Sequence, residues 1–176
     1  IISITKTRSQ TGKRFTYWGS SATFNLNRVL LGNIQISNYF KSLSSMTTFK
    51  QIVDEIYHNV SYATPYEPNT NRNSRTSSKV FRGTSNAGIP TRAFILLVKL
   101  MTFRPTVRQV QSLLDYTDAP FLRVLGFLFI RYCSHPEELW DWFSPYFDDK
   151  EKVQLSRDDT RKITIGQMTR DFLEKM

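Results

Sequence analysis

The residues that could carry catalysis or hold a metal are few in this chain and lie far apart. Cys133 is the only cysteine, so no cysteine cluster has metal-ligand spacing and no internal disulfide can form. It is best explained as a small buried hydrophobe at a helix end. His58 falls on the polar side of a predicted helix, and the acidic pairs at 54–55 and 158–159 fit solvated positions. The sequence therefore predicts a protein without catalytic, metal or cofactor chemistry.

The segment GTSNAGIP, residues 83–90, has the gap between glycines that a phosphate-binding loop of the Walker A type uses. The lysine and hydroxyl residue that such a loop requires are replaced by Ile89 and Pro90, and no apolar strand precedes the segment. This excludes a nucleoside triphosphatase of that class. Pro90 instead suits the first turn of a helix.

The segment PEELWDWFSPYFDD, residues 136–149, combines aromatic rings with acidic side chains. Counted with a helical period, its residues divide into two sets. The inward set is Leu139, Trp142, Phe143 and Tyr146. The outward set, the candidate partner-binding residues, is Trp140, Asp141, Asp148 and Asp149. Two interpretations remain open: the rings fill the core, or the outward set forms part of a partner groove, since aromatic rings with a charged rim are enriched at interfaces.

The net charge of +9 is concentrated in the N-terminal half of the chain. Residues 1–89 carry 11 Lys or Arg and 3 Asp or Glu, whereas residues 90–176 carry 13 and 12. We interpret residues 1–20 as an extended basic arm and residues 61–89 as a long basic loop, either a solvated connection or a site for RNA phosphates. The possible RNA-contacting residues are Arg72, Arg75, Lys79 and Arg82. No RNA-recognition motif accompanies them, so such binding would be electrostatic.

The rest of the pattern predicts an all-α fold, a compact multi-helix domain over residues 21–176 with one small β-hairpin near the C-terminus. Residues 91–103 and 118–132 are apolar almost all round and predict two buried central helices, the second with Asp118 as N-cap. Gly126 in that helix indicates the close approach of another helix. Neither apolar run reaches the ~20 residues that a bilayer requires.

Shorter stripes predict the outer helices. The first apolar stripe is Leu26, Val29, Leu30 and Ile34. The second is Phe49, Ile52, Val53, Ile56, Tyr57 and Val60, with Thr47 or Thr48 as N-cap. Near the C-terminus, KVQL and KITI flank SRDDTR as a hairpin, and Thr164 with Gln167 predicts a capping box before a last amphipathic helix.

Several short segments, spread from residue 18 to about residue 173, occur in an order and spacing typical of one protein family. They are WG at 18–19, NLN at 25–27, YFK at 39–41, VDEIY at 53–57, DAPFLRVLGFLFIRY at 118–132, LWDWF at 139–143, FDD at 147–149 and TIGQM at 164–168. On these segments the chain resembles the pre-mRNA-splicing factor 38 family, and most closely its B-type branch.

The resemblance implies a non-catalytic nuclear protein with an essentially all-α domain that acts as a protein-interaction scaffold in the spliceosome around its activation. It also implies other spliceosomal proteins as partners, including an extended segment of a microfibrillar-associated-protein-like factor and a zinc-finger protein of the tri-snRNP. RNA is the alternative partner. We expect no cofactor, no membrane and a monomer outside the complex.

Overall fold

The computed structural model describes residues 12–67, 88–157 and 159–174. These residues are mostly helical, with one antiparallel pair of short strands, which confirms the predicted fold class. The helices are α1 Arg28–Ile36, α2 Asn38–Ser42, α3 Phe49–Asn59, α4 Arg92–Phe103, α5 Val107–Leu114, α6 Pro120–Cys133, α7 Leu139–Phe143 and α8 Ile165–Glu174. The strands are β1 Lys152–Val153 and β2 Ile163–Thr164. Three 3-10 turns lie at Leu43–Ser45, Pro136–Glu138 and Ser144–Tyr146.

Polar side chains fix the N-termini of most of these helices. Ser37 caps α2, and Thr91 caps α4 with Pro90 just outside the helix. Thr48 at α3 and Thr106 at α5 form capping boxes, in which the threonine hydroxyl accepts the N–H of a glutamine three residues on and the glutamine accepts the threonine N–H. These boundaries therefore follow from local side-chain chemistry.

The predicted cap of α6 is wrong. Pro120 takes the first helical position, so the cap position falls on Ala119, whose side chain has no oxygen to accept a hydrogen bond. Asp118 lies exposed one residue earlier. Burial of α6 on all sides stabilises this helix without a side-chain cap.

Two residues predicted on apolar stripes are exposed. Val29 faces solvent because the buried face of α1 is formed by Leu30, Leu31 and Ile34. Tyr57 lies at the margin of the α3 stripe, where about half of its surface is exposed. The remaining stripe residues are buried or packed against the core.

The two apolar helices, α4 and α6, form the centre of the core as predicted. Helix α5 crosses α6 at Gly126, where a Cβ atom would lie 3.0 Å from Leu113 Cβ and 2.8 Å from Leu114 Cδ2. The glycine therefore allows the close approach that the sequence indicated. No helix within the described residues is long and apolar enough to cross a membrane.

Residues 14–18, part of the predicted basic arm, have no helix and pack against the helical domain. Phe15 is buried among the core side chains, and its N–H donates to the Pro105 carbonyl at 2.9 Å. The backbone N–H of Trp18 donates to the Cys133 carbonyl at 2.8 Å. This part of the arm is therefore bound to the domain, while residues 1–11 lie outside the described part.

The β-hairpin connects the end of the acidic aromatic segment to α8. Lys152 pairs with Thr164 and Val153 with Ile163, and Thr164 accepts the Gln167 N–H at 3.0 Å at the start of α8. Gly166 lies so close to the Phe147 carbonyl that a Cβ would be 2.1 Å from its oxygen. Helix α8 is thus held against residues 147–149.

Candidate partner-binding edge

The most exposed tryptophan of the described residues is Trp140, at 61%. Its ring meets the Phe147 ring edge to face, with centroids 5.3 Å apart. Helix α7 fixes this position, because Leu139 and Phe143 on its other side are buried. The indole is therefore held on rigid backbone with most of its surface in water.

The inward set of the segment takes its predicted positions. Leu139 and Phe143 are fully buried, and Trp142 and Tyr146 are partly buried against the core. Phe127 of α6 contacts Phe143 and Tyr146 edge to face, at centroid distances of 5.8 and 5.0 Å. The inward rings of the segment thus fill the core, whereas the ring of Trp140, in the outward set, is exposed.

Two acids of the outward set reach solvent beside this tryptophan. Asp141 is exposed on α7. Asp148 is fully exposed and contacts Arg170 at 3.5 Å. The Arg170 guanidinium also lies over the Phe147 ring, 5.3 Å from its centroid. We name Trp140, Asp141, Phe147, Asp148 and Arg170 the Trp140 edge.

Asp149 differs from the prediction, because its carboxylate turns back to the interior. Its Oδ2 accepts from Arg123 Nη2 at 2.5 Å, while Glu151 accepts from the same guanidinium. Arg123 Nε donates to the Leu114 carbonyl at 2.7 Å. Partial burial would raise the pKa of Asp149, but the hydrogen bonds from Arg123 and from the Glu151 backbone hold it below its ordinary value. Asp149 therefore anchors the backbone next to the Trp140 edge and does not belong to its exposed surface.

Tyr146 extends this buried network toward α5. Its hydroxyl donates to Asp115 at 2.5 Å and accepts from Gln111 Nε2 at 2.6 Å, and Arg123 lies over its ring. Burial, followed by the hydrogen bond to Asp115, raises the pKa of Tyr146 above its ordinary value. The sequence offered no sign of these contacts, since Gln111 looks like an ordinary surface residue of α5 and Asp115 directly follows that helix.

A second feature that the sequence did not indicate is a groove of about 660 Å³ beside Trp18. Trp18 is 50% exposed and meets the His135 ring at a centroid distance of 4.1 Å. The groove is lined largely by apolar side chains, among them Leu128, Leu139, Met168 and Phe172. Leu139 thus lines the groove, while its neighbour Trp140 belongs to the Trp140 edge.

The possible RNA-contacting residues Arg72, Arg75, Lys79 and Arg82 lie outside the described residues. Of the predicted basic loop, residues 61–67 and 88–89 are described. Tyr66 and Pro90 form an isolated antiparallel bridge across its two ends. Contact with RNA through this loop stays a prediction.

The residues considered for chemistry take ordinary positions. Cys133 is buried, as predicted, and burial raises the pKa of its thiol to about 12. His58 is exposed, as predicted, with Nδ1 2.7 Å from the Asp54 carbonyl oxygen. Among the residues that the structure describes, no group of three or more His, Cys, Asp or Glu side chains is arranged to hold a metal ion.

Comparison of this sequence with known proteins gives a family and several relatives. The model of the PRP38 family matches residues 15–176. The chain is 39% identical over 168 residues to pre-mRNA-splicing factor 38B of Homo sapiens, and 36% identical to the protein of that name from Danio rerio. Each match covers 94% of this chain, but only 31% and 34% of the relative. The chain thus spans about a third of the length of the curated relatives it matches.

Comparison with solved structures finds the same fold in another protein. A chain in the crystal structure of the Snu23-Prp38-MFAP1(217-258) complex of Chaetomium thermophilum superposes with a TM-score of 0.71 at 17% sequence identity. The match covers 90% of this chain and 75% of that chain. The mostly helical fold and the match over residues 15–176 agree, and the chain belongs to the PRP38 family of pre-mRNA-splicing factors.

Proposed function

We propose that this chain is a non-catalytic docking module of the spliceosome, that it works in the nucleus around spliceosome activation, and that it binds another splicing protein through the Trp140 edge. The observation that carries the proposal is the exposure of Trp140, at 61%, on backbone that the buried Leu139 and Phe143 hold in place. Covering a large ring that is already fixed removes apolar surface from water at little cost in conformational entropy.

The charges around the ring favour a partner with basic residues. Asp141 and Asp148 are exposed within the Trp140 edge, and Arg170 contacts only the second of them, at the long distance of 3.5 Å. Exposed pairs of this kind contribute little, so Asp148 can exchange Arg170 for a lysine or arginine of the partner. A ring with two exposed carboxylates beside it fits a segment that presents an apolar side chain next to cations. Asp149 acts here by positioning the backbone and not by contact.

The nature of the partner follows from the relatives by analogy. The matched fold was crystallised with Snu23 and a segment of MFAP1. We extend this to proteins of those two kinds, an MFAP1-like factor and a zinc-finger splicing protein, as partners of this chain. The family membership supports a role in splicing.

The test is a pulldown from nuclear extract with the Trp140→Ala/Asp141→Asn double variant. We expect the variant to lose at least one splicing protein that the wild-type chain retains, while its far-ultraviolet circular dichroism stays unchanged. Tyr57→Ala is the matched control, since Tyr57 is a similarly exposed ring on α3. An unchanged set of bound splicing proteins in the double variant, with the fold intact, would rule out the Trp140 edge as the contact.

A further inference from the structure

Four cationic residues lie at or next to the place where residues 12–16 pass the connection between α4 and α5. Arg14 and Thr106 form an antiparallel bridge, and the Val107 N–H donates to the Lys13 carbonyl at 3.0 Å. The fold thereby places Lys13 and Arg14 beside Arg104 and Arg108. All four side chains are exposed. We name Lys13, Arg14, Arg104 and Arg108 the basic bridge.

Two arginines of the basic bridge are held in place by specific contacts. Arg104 has left-handed backbone angles, with φ of 58°, and its carbonyl accepts from Arg14 Nη1 at 2.5 Å. The Arg104 guanidinium lies over the Tyr17 ring, 5.2 Å from the centroid. Non-glycine residues rarely adopt such angles, which persist when surrounding contacts fix them. Arg104 is thus ordered before any ligand binds.

The positive charge of the basic bridge is not neutralised within the chain. Residues 12–20 and 99–114 contain no aspartate or glutamate. Among the described residues, the ion pairs involve Arg123, His135, Arg161 and Arg170, and none involves the basic bridge. Four uncompensated cations on one surface require an anionic ligand or counterions.

The surroundings of these cations fit phosphates better than an acidic protein segment. Phe15, Pro105 and Val107, which alternate with these cations along the two crossing segments, are buried, and the partly exposed Tyr17 ring lies under the Arg104 guanidinium, so cations dominate this surface. Protein interfaces are enriched in exposed aromatic and apolar anchors, whereas nucleic-acid interfaces are polar and strongly positive. Three of the four cations are arginines, whose planar fork matches phosphate oxygens.

We propose that the basic bridge binds the sugar-phosphate backbone of single-stranded RNA without reading its sequence. This surface is separate in composition from the Trp140 edge, so the proposal does not depend on the proposed function. The basic bridge is also a different surface from the predicted RNA-contacting loop at 72–82. It combines Lys13 and Arg14 with Arg104 and Arg108, which are distant in the sequence and come together through the fold. Counterion release predicts a salt slope of about 0.7 for each phosphate contact, or about 2.8 for four contacts.

The experiment measures the affinity of the chain for a 20-nucleotide oligouridine by fluorescence anisotropy at 50 and 200 mM KCl. Four contacts alone would weaken binding about 50-fold over this range. In the Lys13→Gln/Arg108→Gln variant the slope should fall by about 1.4, since two contacts are lost. Lys41→Gln/Lys50→Gln is the matched control, because it removes two exposed helix cations and leaves the basic bridge intact.

A third variant tests the ordered arginine. Arg104→Gly removes the guanidinium but introduces a residue that adopts left-handed backbone angles without strain, so the fold should be retained. The salt slope of RNA binding should fall by about 0.7. Equal losses in the basic-bridge and control pairs would show that only net charge matters and overturn the proposal. So would an unchanged slope. Tighter binding of polyglutamate of equal charge would assign the surface to an acidic protein instead.

Discussion

Arg123 Nη2 and Asp149 Oδ2 are 2.5 Å apart, which joins the central helix α6 to the chain immediately after the Trp140 edge. Arg123 is nearly buried, at 4% exposure, and its guanidinium also binds Glu151 and the Leu114 carbonyl. The backbone of the same region is fixed by the Gly166 N–H, which donates to the Asp149 carbonyl at 3.1 Å. One buried cation therefore fixes the end of α5, the turn at 147–149 and the approach to β1.

Replacing Arg123 with Met should lower the free energy of unfolding by about 2–4 kcal/mol. The substitution removes the cation and leaves Asp149, Glu151 and the Leu114 carbonyl without their donor. Both carboxylates are about a quarter exposed and can partly rehydrate, which keeps the loss moderate. Urea denaturation measures the change. Arg123→Lys keeps the positive charge but not the planar guanidinium, so it should lose less stability than Arg123→Met. Equal stability of wild type and Arg123→Met would contradict the role of this network.

The ion pair should also give stability a dependence on acidic pH. The folded pKa of Asp149 lies below its unfolded value, about 3.9, so its contribution is fully present above that value and is lost as pH falls through the folded pKa. Because about a quarter of the Asp149 side chain stays exposed and water screens the ion pair, we expect at most about 1 kcal/mol. Asp149→Asn should therefore be less stable than wild type at pH 7, and the difference should shrink toward pH 2. Asp148→Asn, at a fully exposed position, is the control and should change the stability at pH 7 by less than Asp149→Asn does.

The sequence predicted those features of the fold that depend on neighbours along the chain. The capping box at Thr48, the apolar helices α4 and α6 and the division of the acidic aromatic segment into buried and exposed rings follow from periodicity and local chemistry. The structure bears out the exposure of Trp140. Whether this edge binds a partner stays a prediction.

What the sequence could not indicate depends on residues that meet only through the fold. A helical count turned Asp149 outward, but the helix ends before it and Arg123 lies 26 positions earlier. Arg123 looked like a polar interruption of an apolar helix, since nothing local showed that carboxylates would reach it. The basic bridge was hidden for the same reason, because Arg14 and Arg104 are 90 positions apart.

Gly126→Ala should destabilise the chain by about 1–2 kcal/mol although alanine favours helix. The new Cβ would lie 3.0 Å or less from two leucine side-chain atoms of α5, and overpacking of this kind costs about 1–3 kcal/mol against a gain of at most about 1. Gly32→Ala in α1 is the matched control. No other described atom lies within 4 Å of its added Cβ, apart from its own helix and chain neighbours, so it should stabilise by about 0.5–1 kcal/mol. Thermal and urea unfolding compare the two, and a stabilising Gly126→Ala would contradict the close packing of α5 on α6.

The single cysteine should report on opening of the core. Cys133 is 1% exposed, and burial raises the pKa of its thiol to about 12. At pH 8 such a pKa leaves only about one thiol in 10⁴ as the reactive thiolate. We therefore expect a thiol-specific disulfide reagent to label the folded chain at least 100-fold more slowly than glutathione in the same buffer, and to label the urea-unfolded chain at about the rate of glutathione.

This labelling also separates two origins of the slow reaction. The backbone N–H of Trp18 donates to the Cys133 carbonyl, so the segment at 12–20 covers the end of α6 where the thiol lies. Phe15→Ala removes the buried anchor of that segment and should speed labelling by loosening the cover, whereas Tyr57→Ala on α3 should not. Phe15→Ala will also lower the global stability, which by itself speeds labelling by a calculable amount. If labelling in native buffer is no faster than this amount, the helices alone protect Cys133. Acceleration beyond that amount shows that the N-terminal segment closes this end of the core.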